Sequence, residues 1–310
     1  MPAVSVIVLV YKVEEYIERC ARSLFDQTLE DIEYIFVDDC SPDKSVEILE
    51  KVLEEYPGRR QQVKILHNDV NRGQAYSRRR GVEAATGDYI IHCDSDDYVD
   101  REIYSKLYSK ASGENLDMAL CTIRLVYPDH TETVPDKLGA EDVLGALISM
   151  DIHHHLPDKL VSRKAYEKGV TFPTSNMNED TAIIIQLAAN CERFGYVYEP
   201  LYYYVIRPDS ISASWNSVEK VEQVKANVNL VLSFLDSRGL SDRYGRGIMH
   251  LKCWTKFAAL QLPRKYYMDL FPEATLPLFF DRRFTLVERM GHLSKILGIH
   301  GISKPFVRKK

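Results

Sequence analysis

Tyr89-Ile90-Ile91-His92-Cys93-Asp94-Ser95-Asp96-Asp97 decides the architecture of this chain. A short apolar run of strand character delivers three carboxylates within four positions, with no turn residue before them. The same arrangement stands upstream, where Ile32 to Val37 run into Asp38 and Asp39, and at the start, where Val4 to Val10 run into Tyr11. Helix-period stripes separate these runs, beginning with Ile17, Cys20 or Ala21, and Leu24. Short, wholly apolar strands alternating with amphipathic helices predict an α/β fold, a mostly parallel sheet covered by helices. Ligands of such sheets collect at the carboxyl ends of the strands, which is where the polar clusters of this sequence lie.

Working outward, Ser41 and Pro42 read as the N-cap and first turn of a helix with Val46, Leu49, Leu53 and Tyr56 inward, ended by Pro57 and Gly58. A strand at Val63 to Leu66 and a helix around Ala75 to Ala85, closed by Gly87, complete the pattern before Tyr89. The rhythm breaks after about residue 125, and loop-like, mixed segments extend to about 212. Val221, Val224, Val228, Leu232 and Leu235 then mark an amphipathic helix over Val218 to Leu235, with more helix through Tyr267 and a last one from about Leu286 to Leu297. This divides the chain into a domain at 1–214, with halves 1–125 and 126–214, and a helical C-terminal extension at 215–310.

The composition, 45% hydrophobic and 27% charged over 310 residues, is that of an ordinary globular protein. It argues against disorder and against a membrane-embedded fold. Val4 to Val10 lacks the basic lead and cleavage site of a secretory signal, and no apolar run is long enough to cross a bilayer. The expected location is cytoplasmic or peripheral on the inner face of the cell membrane. Six scattered cysteines, with no close pair, suit a reducing compartment. The net charge of −5 is uneven: from Asp281 onward the chain carries +6 and the remainder −11.

Three clusters could do chemistry. Asp94, Asp96 and Asp97 repel one another unless a divalent cation bridging them to diphosphate oxygens neutralises them; the plainer reading is a solvated acidic turn. Asp38 and Asp39 either accept hydrogen bonds from a base or ribose or merely share in a helix cap. Arg78, Arg79 and Arg80 sit on a helix leading toward the acidic strand end and point in different directions, so one or two of them face a phosphate site. His153, His154 and His155 are consecutive, which suits a polar loop better than a metal site.

Taken together these residues resemble family 2 of the inverting glycosyltransferases, with the Rossmann-like GT-A fold. The resemblance rests on Val4 to Val8, Tyr11, Gln27-Thr28, Val37-Asp38-Asp39, Ser41, Asp43, Asn71, Gly73, Arg78, Gly81, Gly87-Asp88-Tyr89-Ile90 and the acidic quartet. A second block adds Asp158-Lys159-Leu160, Phe172-Pro173, Asn178-Glu179-Asp180, Glu199 to Tyr204 and Ser210-Ile211-Ser212. The resemblance implies a nucleotide-sugar donor, usually of uridine diphosphate, held by Val8, Tyr11, Glu14, Asp39, Arg78 and Asp96. It implies a Mn2+ or Mg2+ ion at Asp97, Asp96 and Asp94, and Asp180 as the general base. A hexosyl or N-acetylhexosaminyl group would pass to a glycan or lipid-linked acceptor in bacterial surface polysaccharide synthesis, with no nucleic-acid partner. Leu9, Lys12, Cys40 and Arg79 depart from the family's frequent Pro, Asn, Gly and Asn, and Val205 stands where Arg is common, with Arg207 nearby.

Two rivals remain from sequence. A sugar nucleotidyltransferase would carry a glycine-rich phosphate loop after the first strand, where this chain has Tyr11-Lys12-Val13-Glu14. A catalytically silent nucleotide- or carbohydrate-binding homologue would not need both Asp180 and the acidic quartet. The basic tail, Lys304, Arg308, Lys309 and Lys310, either meets an anionic membrane surface or ends a docked helix in solvent.

Overall fold

A computed structural model describes residues 2–134, 139–207 and 217–299. Ser210-Ile211-Ser212 and the basic tail from Lys304 to Lys310 lie outside the described residues. In chain order the first half holds β1 (Val4–Val10), α1 (Ile17–Phe25), β2 (Ile32–Asp38), α2 (Ser45–Glu54), β3 (Val63–His67), α3 (Gln74–Ala84), β4 (Tyr89–Asp94), β5 (Tyr98–Val99) and α4 (Ile103–Gly113). The second runs β6 (Met118–Val126), β7 (Thr131–Thr133), α5 (Val143–Ile148), β8 (Lys159–Ser162), α6 (Arg163–Glu167), α7 (Glu179–Ala189) and β9 (Phe194–Val205). Helices then follow one another: α8 (Val218–Ser237), α9 (Gly245–Ala258), α10 (Arg264–Asp269), α11 (Thr275–Phe280) and α12 (Leu286–Leu297).

One sheet takes the order β3-β2-β1-β4-β8-β6-β9-β5, with β7 paired to β6. The β3-β2-β1-β4 half is parallel, Val4 standing opposite Ile32 on one side and Tyr89 on the other. β8 runs antiparallel between β4 and β6, and β9 returns parallel to β6 before its end pairs antiparallel with β5. β1 is central and apolar on both faces because helices cover both. One core gathers α1, α2 and α4 under Val6, Val8 and Phe36. The other joins Ile7 and Ile90 to α5, α7 and residues of α8 through Phe284, so the C-terminal helices share a core with the sheet.

Two expectations need correction. α2 opens at Ser45 rather than Ser41, because Ser41 and Asp43 are occupied elsewhere: Lys12 N donates to Ser41 Oγ at 2.8 Å and Glu14 N to Asp43 Oδ2 at 3.1 Å. The segment from 126 to 207 is not loop-like but holds α7 and the long β9. From Thr181 to Ala188 every residue of α7 is buried, and a helix enclosed on all sides carries no polar stripe by which periodicity could find it.

Gly87 fixes the amino end of the parallel half. Its N–H donates to Ser5 Oγ at 2.8 Å, Ser5 donates to Glu33 at 2.7 Å, and Lys64 closes the set on Glu33, also at 2.7 Å. A Cβ at Gly87 would lie 2.8 Å from Ser5 N and 2.9 Å from Val4 C, both backbone. Gly87→Ala should therefore cost about 1–3 kcal/mol of stability in urea unfolding. Gly113→Ala, where a Cβ meets nothing within 4 Å, should leave the midpoint unchanged or raise it.

Candidate functional site

The parallel half sets out the site. β2, β1 and β4 are neighbours in register, so their carboxyl ends bring Asp38-Asp39, Tyr11 and Asp94 to one edge of the sheet. Tyr11 is 39% exposed there, and Lys12 (φ 54°) turns the chain away from the strand. Asp39 is buried and fastens the following loop: Oδ1 accepts from Asn68 Nδ2 and Arg72 N, and Oδ2 from Gly73 N, each at 2.8 Å. Gly73 (φ 83°) cannot be replaced easily, since a Cβ would lie 2.3 Å from the Asn176 side chain. Glu14 is exposed and accepts from Lys44 N at 3.0 Å, which couples the β1–α1 and β2–α2 loops. Val8 has no exposure and sits inside β1, opposite Phe36 and Cys93, so its side chain supports the edge from below.

The acidic quartet divides into unlike members. Asp97, expected with Asp96 and Asp94 as a metal ligand, is 1% exposed and has both oxygens engaged, Oδ2 by Tyr202 Oη at 2.6 Å and Oδ1 by Val205 N at 2.7 Å. Tyr202 Oη also accepts from Asp94 N at 3.2 Å, so the end of β9 clamps the acidic turn. Burial, with Asp96 and Asp94 adding to it, pushes the Asp97 carboxyl well above the usual carboxylate range. Asp94 and Asp96 face outward, their side chains 32% and 23% exposed. Asp96 Oδ2 accepts from Arg207 Nη2, and that guanidinium lies 4.8 Å from the Tyr16 ring centroid.

Arg78 is the centre of the site. Ala75, Arg78 and Gly81 share the buried face of α3, and the Arg78 side chain is 3% exposed. Its Nη2 lies 3.1 Å from Glu179, 3.2 Å from Asp180 and 3.8 Å from Asp94. One cation thus answers three carboxylates, two of them in the first turn of α7, where the helix dipole also favours negative charge. Burial pushes Asp180 up to about 7, Glu179 adds to the rise, and Arg78 opposes it. Asp94 likewise rises to about 7 through burial, with Asp180 and Asp96 adding and Arg78 opposing. Arg78 Nε and Nη1 and Asp180 Oδ1 have no hydrogen-bond partner among the described residues, which leaves unspent polar capacity at this point.

The structure therefore gathers Asp94, Asp96, Asp180 and Arg78, with Tyr11 at the strand edge. It assigns inward, supporting positions to Val8 and Asp97. Arg78 is buried against Glu179, Asp180 and Asp94, whereas Arg79 faces solvent and pairs with Glu83 at 2.7 Å. Sequence reading missed Arg78's partners Glu179 and Asp94, although the i, i+3 spacing of Ala75, Arg78 and Gly81 already places Arg78 on the inner face. The histidines diverge: His154 contacts Thr181 Oγ1 and Leu147 O, each at 2.8 Å, while His155 stacks on Tyr204. Among the described residues no three His, Cys, Asp or Glu side chains converge as a metal cage. Asp94 and Asp96 nevertheless suit a cation of the Mg2+ type, which takes one or two carboxylates and completes its shell with phosphate and water.

Residues 5–172 match the model of Glycosyl transferase family 2. The chain is 30% identical over 252 residues to EpsJ of Bacillus subtilis (strain 168), an uncharacterized glycosyltransferase, covering 78% of this chain and 72% of that protein. Its fold is similar to that of S. aureus TarS 1-349 in complex with UDP-GlcNAc, with a TM-score of 0.64 at 20% identity over 96% of this chain and 92% of that one. It is also similar to the mannosyltransferase PcManGT of Pyrobaculum calidifontis in complex with GDP-Man and Mn2+, with a TM-score of 0.58 at 15% identity over 96% and 86% of the two chains.

Arg78→Leu leaves buried acids uncompensated and should cost about 3–5 kcal/mol near pH 8. Folded-state values of about 7 for Asp94 and Asp180 lie above those of ordinary carboxylates, so the folded protein holds protons that the unfolded chain releases. Their contribution is present at low pH and lost as pH rises through about 7. Melting temperatures from about pH 5.5 to about pH 8 should show the Arg78→Leu deficit shrinking toward acid, and a flatter profile for Asp180→Asn than for wild type.

Proposed function

The chain belongs to glycosyl transferase family 2 and is a glycosyltransferase with the GT-A fold, and we propose that it moves a sugar from a nucleoside diphosphate, with inversion, to an acceptor hydroxyl. The observation that carries this reading is Arg78, which ties Asp94 at the donor edge to Asp180 at the head of α7. Tyr11 faces the nucleotide and Asp39 shapes its loop from beneath, and the complexes of TarS with UDP-GlcNAc and of PcManGT with GDP-Man and Mn2+ support a donor of that class.

Asp180 is the general base. Its carboxylate takes the acceptor proton as the acceptor oxygen bonds to the anomeric carbon, and the bond from that carbon to the diphosphate breaks with its electron pair leaving on the nucleotide. A single displacement inverts the anomeric centre. Asp94 and Asp96 would hold a Mn2+ or Mg2+ ion, which when bound supplies positive charge beside the departing diphosphate. Asp97 positions the turn through Tyr202 and Val205. Arg78 holds Asp180 in place and opposes the upward shift caused by burial, leaving the carboxyl at about 7, where a base both accepts and releases protons near neutrality. The acceptor is a glycan or lipid-linked hydroxyl of cell-surface polysaccharide synthesis, and a uridine diphosphate sugar is the donor to screen first.

Asp180→Asn should lower turnover by roughly 10² to 10⁴ while keeping affinity for uridine diphosphate. In the wild type, kcat/KM should rise with pH through about 7 as Asp180 ionises. A loss under tenfold would move the base to Glu179. Asp96→Ala should remove the Mn2+-dependent part of uridine diphosphate affinity in calorimetry, and unchanged affinity would remove Asp96 from the cation site.

A further inference from the structure

α12 presents its apolar side chains to solvent and its polar ones to the protein. Leu286, Val287, Met290 and Leu297 are 66%, 54%, 44% and 61% exposed, whereas Glu288, His292 and Ser294 are at most 5% exposed. The helix cannot simply roll over. Thr285 and Glu288 form a reciprocal capping box, His292 meets Tyr267 Oη through Nδ1 and Thr275 O through Nε2, and Ser294 Oγ donates to Ile299 O at 2.9 Å. Burying the leucine side would break these contacts and strand buried polar atoms. The preceding helix continues the pattern, with Leu276 and Phe280 of α11, one turn apart, 68% and 66% exposed. α11 and α12 pack on each other, so the two sets of exposed apolar side chains lie on adjoining helices.

Among the described residues from 281 onward the exposed charges have one sign, while Asp269 of α10 is exposed and Glu273, one turn before Leu276, is answered by Lys252 at 2.8 Å. Asp281 and Glu288 are the only acids from residue 281 onward. Glu288 is 5% exposed within its cap, and Asp281 is engaged by His250 and Arg283. Arg282 and Arg283 stand exposed in the turn joining α11 to α12. A solvent-facing apolar stripe bordered by cations, on a helix whose other face is fastened to the protein, has the makeup of an element lying in a membrane interface. A second copy of the chain fits less well, because the acids of α12 and its leading turn, Glu288 and Asp281, are already engaged in the cap and by Arg283, leaving the cations there without a matching acid from a partner's α12. An anionic surface neutralises them.

We propose that α11 and α12 form a lipid-docking surface, inserting Leu276, Phe280, Leu286, Val287, Met290 and Leu297 among the headgroups of an anionic membrane. The surface shares no residue with the Arg78 site, and the inference holds or fails independently of the reaction assigned to that site.

The test is co-sedimentation of the full chain with phosphatidylcholine vesicles, with and without phosphatidylglycerol, followed by the double variant Leu286→Glu/Met290→Glu. Both side chains are exposed, so the variant should fold, and its melting temperature and uridine diphosphate affinity should equal those of wild type. Wild type should bind phosphatidylglycerol vesicles, more weakly at high salt, and the double variant should partition at least about tenfold less. Leu286→Phe should retain binding, as an apolar surface requires and a sequence-specific contact would not. Wild type that ignores phosphatidylglycerol vesicles, or a double variant that binds them as well as wild type, overturns the proposal. A wild-type dimer in light scattering that the double variant dissociates, without vesicle binding, also overturns it and makes the face an interface between copies.

Discussion

Arg78 is the interaction on which the rest of the site depends. It projects from α3 beneath the carboxyl end of β4 and meets acids from the strand end and from the head of α7, two elements that share no other charge pair with α3 among the described residues. Three carboxylates around one guanidinium leave excess negative charge in a largely dry place, so the site is held together yet short of cation. Such a cluster draws in further positive charge, and Arg207 on Asp96 already supplies some of it. A donor arriving with a divalent ion would complete the balance.

The same geometry separates residues that reach a ligand from those that hold them. Asp94, Asp96 and Asp180 keep part of their carboxylates toward solvent, while Asp39, Asp97 and Glu179 spend theirs on loop amides, Tyr202 and Arg78. Gln74 tightens this inner layer by donating to both Glu179 Oε2 and Asn176 O at 2.7 Å. Buried carboxylates tolerate such a place only when each lone pair has a donor, which is why the supporting acids are bonded more fully than the outward ones.

Much of the fold is legible in the sequence where burial is one-sided or strands are short. β1, β2 and β4 follow from their apolar runs, and the ends of α12 coincide with Leu286 and Leu297 because a capping box and a C-terminal glycine mark them. The stripe rule fails where its premise does. α7 is buried all round, and α12 buries a polar face on paired histidine and serine, so hydrophobicity predicts the wrong side. At the site, the acids are visible as a motif but their division of labour is not. Whether Asp97 faces water or Tyr202 depends on β9, more than a hundred residues away, and no local pattern records that contact.

β9 carries a consequence of its own. It begins parallel to β6, shifts register near Cys121 and Thr122, and ends by gripping the acidic turn through Tyr202 and Val205. The strand from the half expected to face the acceptor is therefore also the hinge pin of the half expected to hold the donor. Changes that remodel the surface before Pro200 can alter which acceptor is admitted without disturbing the pin. An insertion or deletion inside the strand would slide Tyr202 off Asp97 and unseat both halves at once. A lineage diversifying its acceptors would thus be free to vary side chains along β9 but not its length, and the spacing between the Glu179-Asp180 pair and Tyr202 becomes a yardstick that descendants of this fold must keep.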